Sequence, residues 1–184
     1  MADAKQLVVK TLAGVLGSAA AAATVLTAVP LEESGRTVAV TIAPGGAATV
    51  RHISGPQDRK AYLDAVKVPT ACDGITRGVR LGQIYTPAQC SMLLQAELIE
   101  TAGHVVDCVP ALKGRAYQAP AAVSLAYNIG WPSFCRSTAA RLFNAGRWAE
   151  GCDAFTMWVK AKGNVLPGLV ARRGRERALC RTGL

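Results

Sequence analysis

Between Lys10 and Glu32 the chain runs for 21 residues, Thr11 to Leu31, without a charged side chain. A run of that length is long enough to cross a bilayer as one helix, and in water it has to be buried. Lys5 and Lys10 precede it, and Glu32 and Glu33 follow. The bias of positive residues toward the cytoplasmic side therefore places the N-terminus inside and exports the rest. Yet five consecutive alanines (Ala19 to Ala23), Gly14, Gly17 and four Ser or Thr residues make a poor anchor, because small side chains gain little by leaving water. A cleaved signal peptide, a permanent anchor, a weak span that inserts and later slips out, and a buried core helix all stay open. Composition favours the releasable span. Residues 1–31 are accordingly read as an N-terminal membrane segment, 32–54 as a linker and first helix, and 55–184 as the folded domain.

Export agrees with the cysteines. All six, Cys72, Cys90, Cys108, Cys135, Cys152 and Cys180, lie beyond the uncharged run. An even number in an exported chain points to a disulfide framework in an oxidising compartment such as a bacterial periplasm, and six allow 15 pairings. There is no CxxC, and His52 and His104 are the only histidines, which disfavours a zinc site. With 21 Lys and Arg against 12 Asp and Glu the net charge is +9. That charge suits a polyanionic partner. Nucleic acid is disfavoured, since the chain is exported and carries no recognition motif.

The alternation in TVAVTI predicts a short strand within 32–43, ended by Pro44-Gly45-Gly46. Residues 47–54 are assigned a short helix, and 57–85 short strands and loops. From Thr86, a good N-cap followed by Pro87, the pattern turns helical up to about Gly103. Further helices are expected over 119–128, 137–144 (Ser137-Thr138 as its cap), 148–159 and 168–180. Trp148 and Trp158 are assigned to the core, and Arg172, Arg173, Arg175 and Arg177 to a solvated basic face. The fold class is α+β, mostly helical, with a small β-rich lobe.

Tyr62-Leu63-Asp64 is followed by Pro69-Thr70-Ala71-Cys72-Asp73-Gly74-Ile75-Thr76. Tyr127-Asn128-Ile129-Gly130, Phe134-Cys135-Arg136-Ser137-Thr138 and Gly168-Leu169-Val170-Ala171-Arg172-Arg173 come later, in that order. Together they resemble the phage lysozymes of glycoside hydrolase family 24, in particular the signal-arrest-release endolysins, over residues 60 to 182. The resemblance implies a lysozyme-like fold and cleavage of peptidoglycan between N-acetylmuramic acid and N-acetylglucosamine. It further implies no cofactor, a monomer, the inner membrane as partner through the N-terminal segment, and location at the host inner membrane and periplasm. It also implies the disulfides Cys72–Cys90 and Cys152–Cys180, which leaves Cys108 with Cys135.

The family's catalytic set is a Glu, an Asp nine residues later and a Thr six beyond that. One carboxyl protonates the leaving oxygen while the other stabilises an oxocarbenium-like centre and positions water. Asp64 matches the Asp and Thr70 the Thr; the Glu position then falls on Gly55, and no Glu occurs between Glu33 and Glu97. Asp73 and, less favoured, Asp58 are the carboxylates nearest the vacancy, and Asp73 is expected to replace the missing acid unless it only serves the turn before Gly74. His52 and His104 are read chiefly as ordinary surface and helix-end residues. The alternative function is a catalytically inactive, wall-binding or regulatory protein on the same fold. A lytic transglycosylase needs an acid as well, so Gly55 weighs equally against it.

Overall fold

The computed structural model of the protein describes residues 10–64 and 67–184; Lys5 of the orientation argument lies outside them. The uncharged run is broken in two. Thr11 caps helix α1 (Leu12–Leu16) by accepting the Gly14 N–H at 3.1 Å, and Gly17 ends it with φ 67°, a left-handed conformation that glycine adopts without strain. Ser18 then caps helix α2 (Ala19–Ser34), accepting the Ala21 N–H at 3.1 Å.

On α2, Ala21, Ala22, Val25, Leu26 and Val29 have no exposed surface, a spacing that puts them on one helical stripe. On the other face Thr24 and Thr27 return their hydroxyls to the carbonyls of Ala20 and Ala23. The segment expected to precede the domain as a transmembrane helix therefore forms its first two helices here. No helix among the described residues is long and apolar enough to cross a membrane. The physical reason is burial: Val25, Leu26 and Val29 each contribute about 1.5–3 kcal/mol when removed from water. Residues 12–29 share one core with residues 94–180, so position 31 is not a boundary in this fold.

After α2 the chain makes a hairpin. Strand β1 (Thr37–Ile42) pairs antiparallel with β2 (Ala48–Ser54), Val40 opposite Val50 and Ile42 opposite Ala48. The short helix expected at 47–54 is thus a strand. Thr49, Val50 and Ile53 are β-branched, and a partner strand lies just across the Pro44–Gly46 turn, which outweighs the Ala47-Ala48 start. The chain leaves and re-enters the domain at one point. Gly35 and Gly55 have φ 72° and 87°, and a Cβ on Gly55 would sit 2.5 Å from the Gly35 carbonyl oxygen.

Strands β3 (Asp58–Leu63) and β4 (Pro69–Cys72) form a second antiparallel pair. They cover a small core of Ala61, Ala71, Cys72, Ile75, Tyr85 and Cys90. Helix α3 (Pro87–Cys108) begins with Thr86 and Gln89 exchanging caps and runs past the expected stop at Gly103. Helix α4 (Gln118–Ile129), buried from Gln118 to Ala126, is the centre of the large core. Around it lie α5 (Trp131–Cys135), α6 (Thr138–Asn144), capped by Ser137 as expected, α7 (Trp148–Asp153) and α8 (Pro167–Arg181). The helix expected over 148–159 ends at Asp153 and tightens into a 3₁₀ turn over Ala154–Met157. A two-residue ladder of β5 (Lys160–Ala161) and β6 (Asn164–Val165) leads into α8. The architecture is α+β and mostly helical, the expected class.

The disulfides pair as the resemblance implies. Cys72–Cys90 ties β4 to the start of α3, Cys108–Cys135 ties the end of α3 to α5, and Cys152–Cys180 ties α7 to α8.

Candidate functional site

The carboxylate that the sequence argument missed stands at the last turn of α2. Glu33 Oε1 accepts from Arg172 Nη1 at 2.7 Å. Its other oxygen, Oε2, lies against Gly74, 3.2 Å from where a Cβ there would be. The side chain is 18% exposed, so it is sheltered yet reachable. Arg172 is fixed from behind, donating to Glu176 at 3.0 Å and to the Ser124 carbonyl at 3.3 Å. Burial acts to lower the Arg172 pKa, but Glu33 and Glu176 outweigh it and hold it above the ordinary value. Burial pushes the Glu176 carboxyl up, against the pull of Arg173, Ser124 and Arg172. Arg172 and Arg173, expected on a solvated face, are 5% and 0% exposed; in α8 they point inward to these carboxylates. Arg175 and Arg177 do stay outside, paired with Glu32 and Asp153.

Asp64 and Thr70 flank the β3–β4 connection. Asp64 Oδ1 accepts from the Val68 N–H at 2.8 Å, and the Thr70 hydroxyl donates to the Val68 carbonyl at 3.0 Å. Thr70 is 5% exposed, and its hydroxyl can accept a hydrogen bond as well as donate one. Burial raises the Tyr62 pKa, and the negative charges of Asp58, Asp64 and Glu33 add to the shift.

Asp73 is not in the open cleft. It is 0% exposed, and its carboxylate is gripped by Arg36, Nε to Oδ1 at 2.9 Å and Nη2 to Oδ2 at 2.5 Å. Ser34 adds a contact at 3.2 Å, and Tyr127 donates to the Asp73 carbonyl at 2.8 Å. Asp73 therefore locks the turn before Gly74 to the end of α2. Gly55, the position assigned to the missing acid, packs on Gly35 and Arg36 at the base of the hairpin. Asp58 opens β3 on the exposed surface. His52 lies exposed on β2, and His104 stacks on Trp131 with ring centroids 3.9 Å apart.

Beside Glu33 a cleft of 140 Å³ runs between the β lobe and the helices, lined by Gly74, Ile75, Thr76, Glu97, Tyr127 and Trp131 among others. Burial raises the Tyr127 phenol well above its usual range, with Glu33, Glu97 and Asp73 adding to it, so its hydroxyl is a fixed donor. Arg77 crosses the cleft rim to Glu97 and Glu100. The cleft wall is mixed polar and apolar, and Glu33 meets it through Gly74. A sheltered carboxyl, with a second carboxylate beside a hydroxyl, is the pair of groups that acid-assisted cleavage of a glycosidic bond requires.

The signal that would have found Glu33 was present. Two alternating runs flank Pro44-Gly45-Gly46, and reading them as an inserted hairpin removes the fixed nine-residue spacing that excluded every Glu before Gly55.

Comparison with known proteins agrees with this chemistry. The family model described as phage lysozyme matches residues 55–176, starting where the hairpin ends. A SAR-endolysin of Pseudomonas phage phiKMV is 37% identical over 124 residues, 65% of this chain and 76% of the relative. One of Enterobacteria phage P21 is 36% identical over 128 residues, 66% of this chain and 74% of the relative. Among solved structures, the muramidase domain of SpmX from Asticaccaulis excentricus superposes with TM-score 0.63 at 27% identity, covering 69% of this chain and 88% of that one. The active form of P1 phage endolysin Lyz gives TM-score 0.63 at 25% identity, covering 68% and 76%. With two thirds of its length in the family's pattern and a lysozyme-type cleft, the chain belongs to the phage lysozyme family, as a glycoside hydrolase of the endolysin kind.

Proposed function

We propose that this endolysin cuts the glycan of peptidoglycan with Glu33 as general acid, and that the family's acid has not been lost but displaced in sequence by the hairpin. The observation that supports the reading is the placement of Glu33, with one oxygen held by Arg172 and the other against Gly74, a residue of the cleft wall. A proton on Oε2 passes to the glycosidic oxygen as the C1–O bond breaks. Asp64 offsets the positive charge that develops at C1. A water held by Asp64 and the Thr70 oxygen then adds to C1 and passes its proton to Asp64, and solvent exchange returns Asp64 to its carboxylate and Glu33 to its acid form. Asp73 keeps the turn before Gly74 in place and touches no reacting atom. The case for an inactive wall binder rested on the vacancy at Gly55, and Glu33 removes that reason.

The test is product analysis on purified peptidoglycan with wild type, Glu33→Gln and Asp64→Ala. Hydrolysis gives new reducing ends at muramic acid, and each variant should lose them while staying folded. Anhydro-muramic ends would instead assign a lytic transglycosylase. Clearing by Glu33→Gln at the wild-type rate would sink the assignment of the acid.

The same placement supports a releasable N-terminal segment, the kind of endolysin its relatives' names describe. Glu33 is continuous with α2, so the acid reaches the cleft only when residues 12–34 dock. A form held in the inner membrane by that uncharged run would lack its acid in the periplasmic domain until release. Fractionation of expressing cells over time checks it: membrane-bound protein should be inactive, and soluble periplasmic protein of unchanged mass active.

A further inference from the structure

The hairpin that displaced the acid also builds a second concavity, away from the glycan cleft. Between β2 and the first turns of α3 lies a groove of 540 Å³ whose lining includes Arg36, Val50, Arg51, Gln57, Ala88 and Ser91. Its floor is Arg36, 0% exposed. Two of that guanidinium's nitrogens hold Asp73, but Nη1 is buried with no hydrogen-bond partner, and so is Nε2 of Gln57. Buried donors left unpaired are costly, so two on one groove point to an acceptor that belongs there. No Asp or Glu lines the groove. Arg51 is exposed on its wall, and Pro87 and Ala88 bring the N-terminal, positive end of a 22-residue helix to it. Ala48, Val50 and Ala88 give the rest of the wall small aliphatic stretches, between the polar Thr49, His52, Ser91 and Gln95.

We propose that this groove is a binding site for a carboxylate-bearing short peptide with small aliphatic side chains, the chemistry of the peptide stem that hangs from peptidoglycan glycan. The naming of the stem rests on the glycan-cutting reading above; the groove's preference for a carboxylate does not. The two concavities adjoin through one contact. Arg36 forms the groove floor and holds Asp73, whose neighbour Gly74 lines the glycan cleft. A strand seated in the cleft therefore has a place for its stem close by.

Calorimetric titration of the full-length, disulfide-intact protein tests this with three probes: a synthetic L-Ala–D-Glu–diaminopimelate–D-Ala peptide, the same peptide with its carboxyls amidated, and inorganic phosphate. The free-acid peptide should bind saturably, and the amidated one at least about tenfold more weakly, the size expected for hydrogen bonds to a charged group. Arg51→Ala and Gln57→Leu should each weaken the free-acid peptide at least about fivefold; Arg51 is exposed, so its truncation spares the fold. No saturable peptide binding, equal binding of the amide, or wild-type binding by both variants would overturn the proposal. Phosphate binding as tight as the peptide's would replace it with a small-anion pocket. Peptide binding by a preparation that cuts no glycan would keep the groove and remove the enzymatic reading.

Discussion

Two segments lie ahead of residue 55, where the family pattern begins, and they have opposite relations to the domain. Residues 12–34 are built into it: α1 and α2 contribute Leu12, Leu16, Val25, Leu26 and Val29 to the main core, and α2 ends in Glu33. Residues 37–54 are set upon it: the hairpin keeps Arg51, His52 and Ile53 exposed and returns to its point of departure at Gly55. Both fall outside the matched region, yet one supplies fully buried residues to the core while the other lays Val40, Ile42, Ala48 and Val50 on it from a half-exposed hairpin. A match boundary therefore does not mark a structural boundary. On the reading proposed above, the hairpin interrupts the family pattern and so hid Glu33 beyond it.

The comparison breaks most sharply at the acid. Glu33→Gln should lower the rate of glycan cleavage by about 10²–10⁴-fold, the worth of a positioned general acid, with the circular dichroism of the folded protein retained. Gly55→Glu, the substitution that would restore the family's spacing on paper, should give no gain when combined with Glu33→Gln. A rescue there would mean that the hairpin base, not α2, faces the substrate.

Next in size is the joint between the two segments. Arg36 and Asp73 are an ion pair with both side chains at 0% exposure. Removing one charge leaves the other buried alone, so Arg36→Met should cost about 3–5 kcal/mol in urea unfolding, while Arg36→Met with Asp73→Leu should recover much of it. Below that, Leu26→Ala on α2 should cost about 2–5 kcal/mol as a core truncation. Ile53→Ala on β2, 50% exposed, should stay within about 0.5 kcal/mol. Equal losses at Leu26 and Ile53 would erase the contrast between segments.

Much of this was legible in advance, and the failures have specific causes. Capping chemistry placed α3 and α6, because Thr86-Pro87 and Ser137-Thr138 act through local hydrogen bonds that any fold must satisfy. Asp64 and Thr70 could be aligned with the family's Asp and Thr because their six-residue spacing carries no insertion. The uncharged run was ambiguous on physical grounds: small apolar residues suit a thin membrane span and a tightly packed core helix alike, and only Gly17 and Ser18, a stop and a start, hinted that it breaks. Residues 47–54 were misassigned because a strand is decided by its partner, which lies across a turn. Asp73 looked like a spare acid because sequence does not reveal burial, and its partner Arg36 sits 37 positions away. The inward turn of Arg172 and Arg173 was hidden for the same reason: the carboxylates that hold them include Glu33, 139 positions back from Arg172.

The smallest expected effects separate the two glycines at the seam. Gly35 and Gly55 both have positive φ, 72° and 87°, so alanine at either carries the left-handed penalty of about 1–2 kcal/mol. They differ in surroundings. Nothing lies within 4 Å of a Cβ built on Gly35, whereas one on Gly55 meets the Gly35 oxygen at 2.5 Å and the Arg36 Cα at 3.0 Å. Gly55→Ala should therefore exceed Gly35→Ala by about 1–3 kcal/mol of overpacking in urea unfolding. Gly35→Asn, which suits a helix C-terminus, should fall below Gly35→Ala. If Gly55→Ala were the milder of the two, the hairpin would not close against α2 as tightly as drawn, and its status as an insertion at a single point would fail with it.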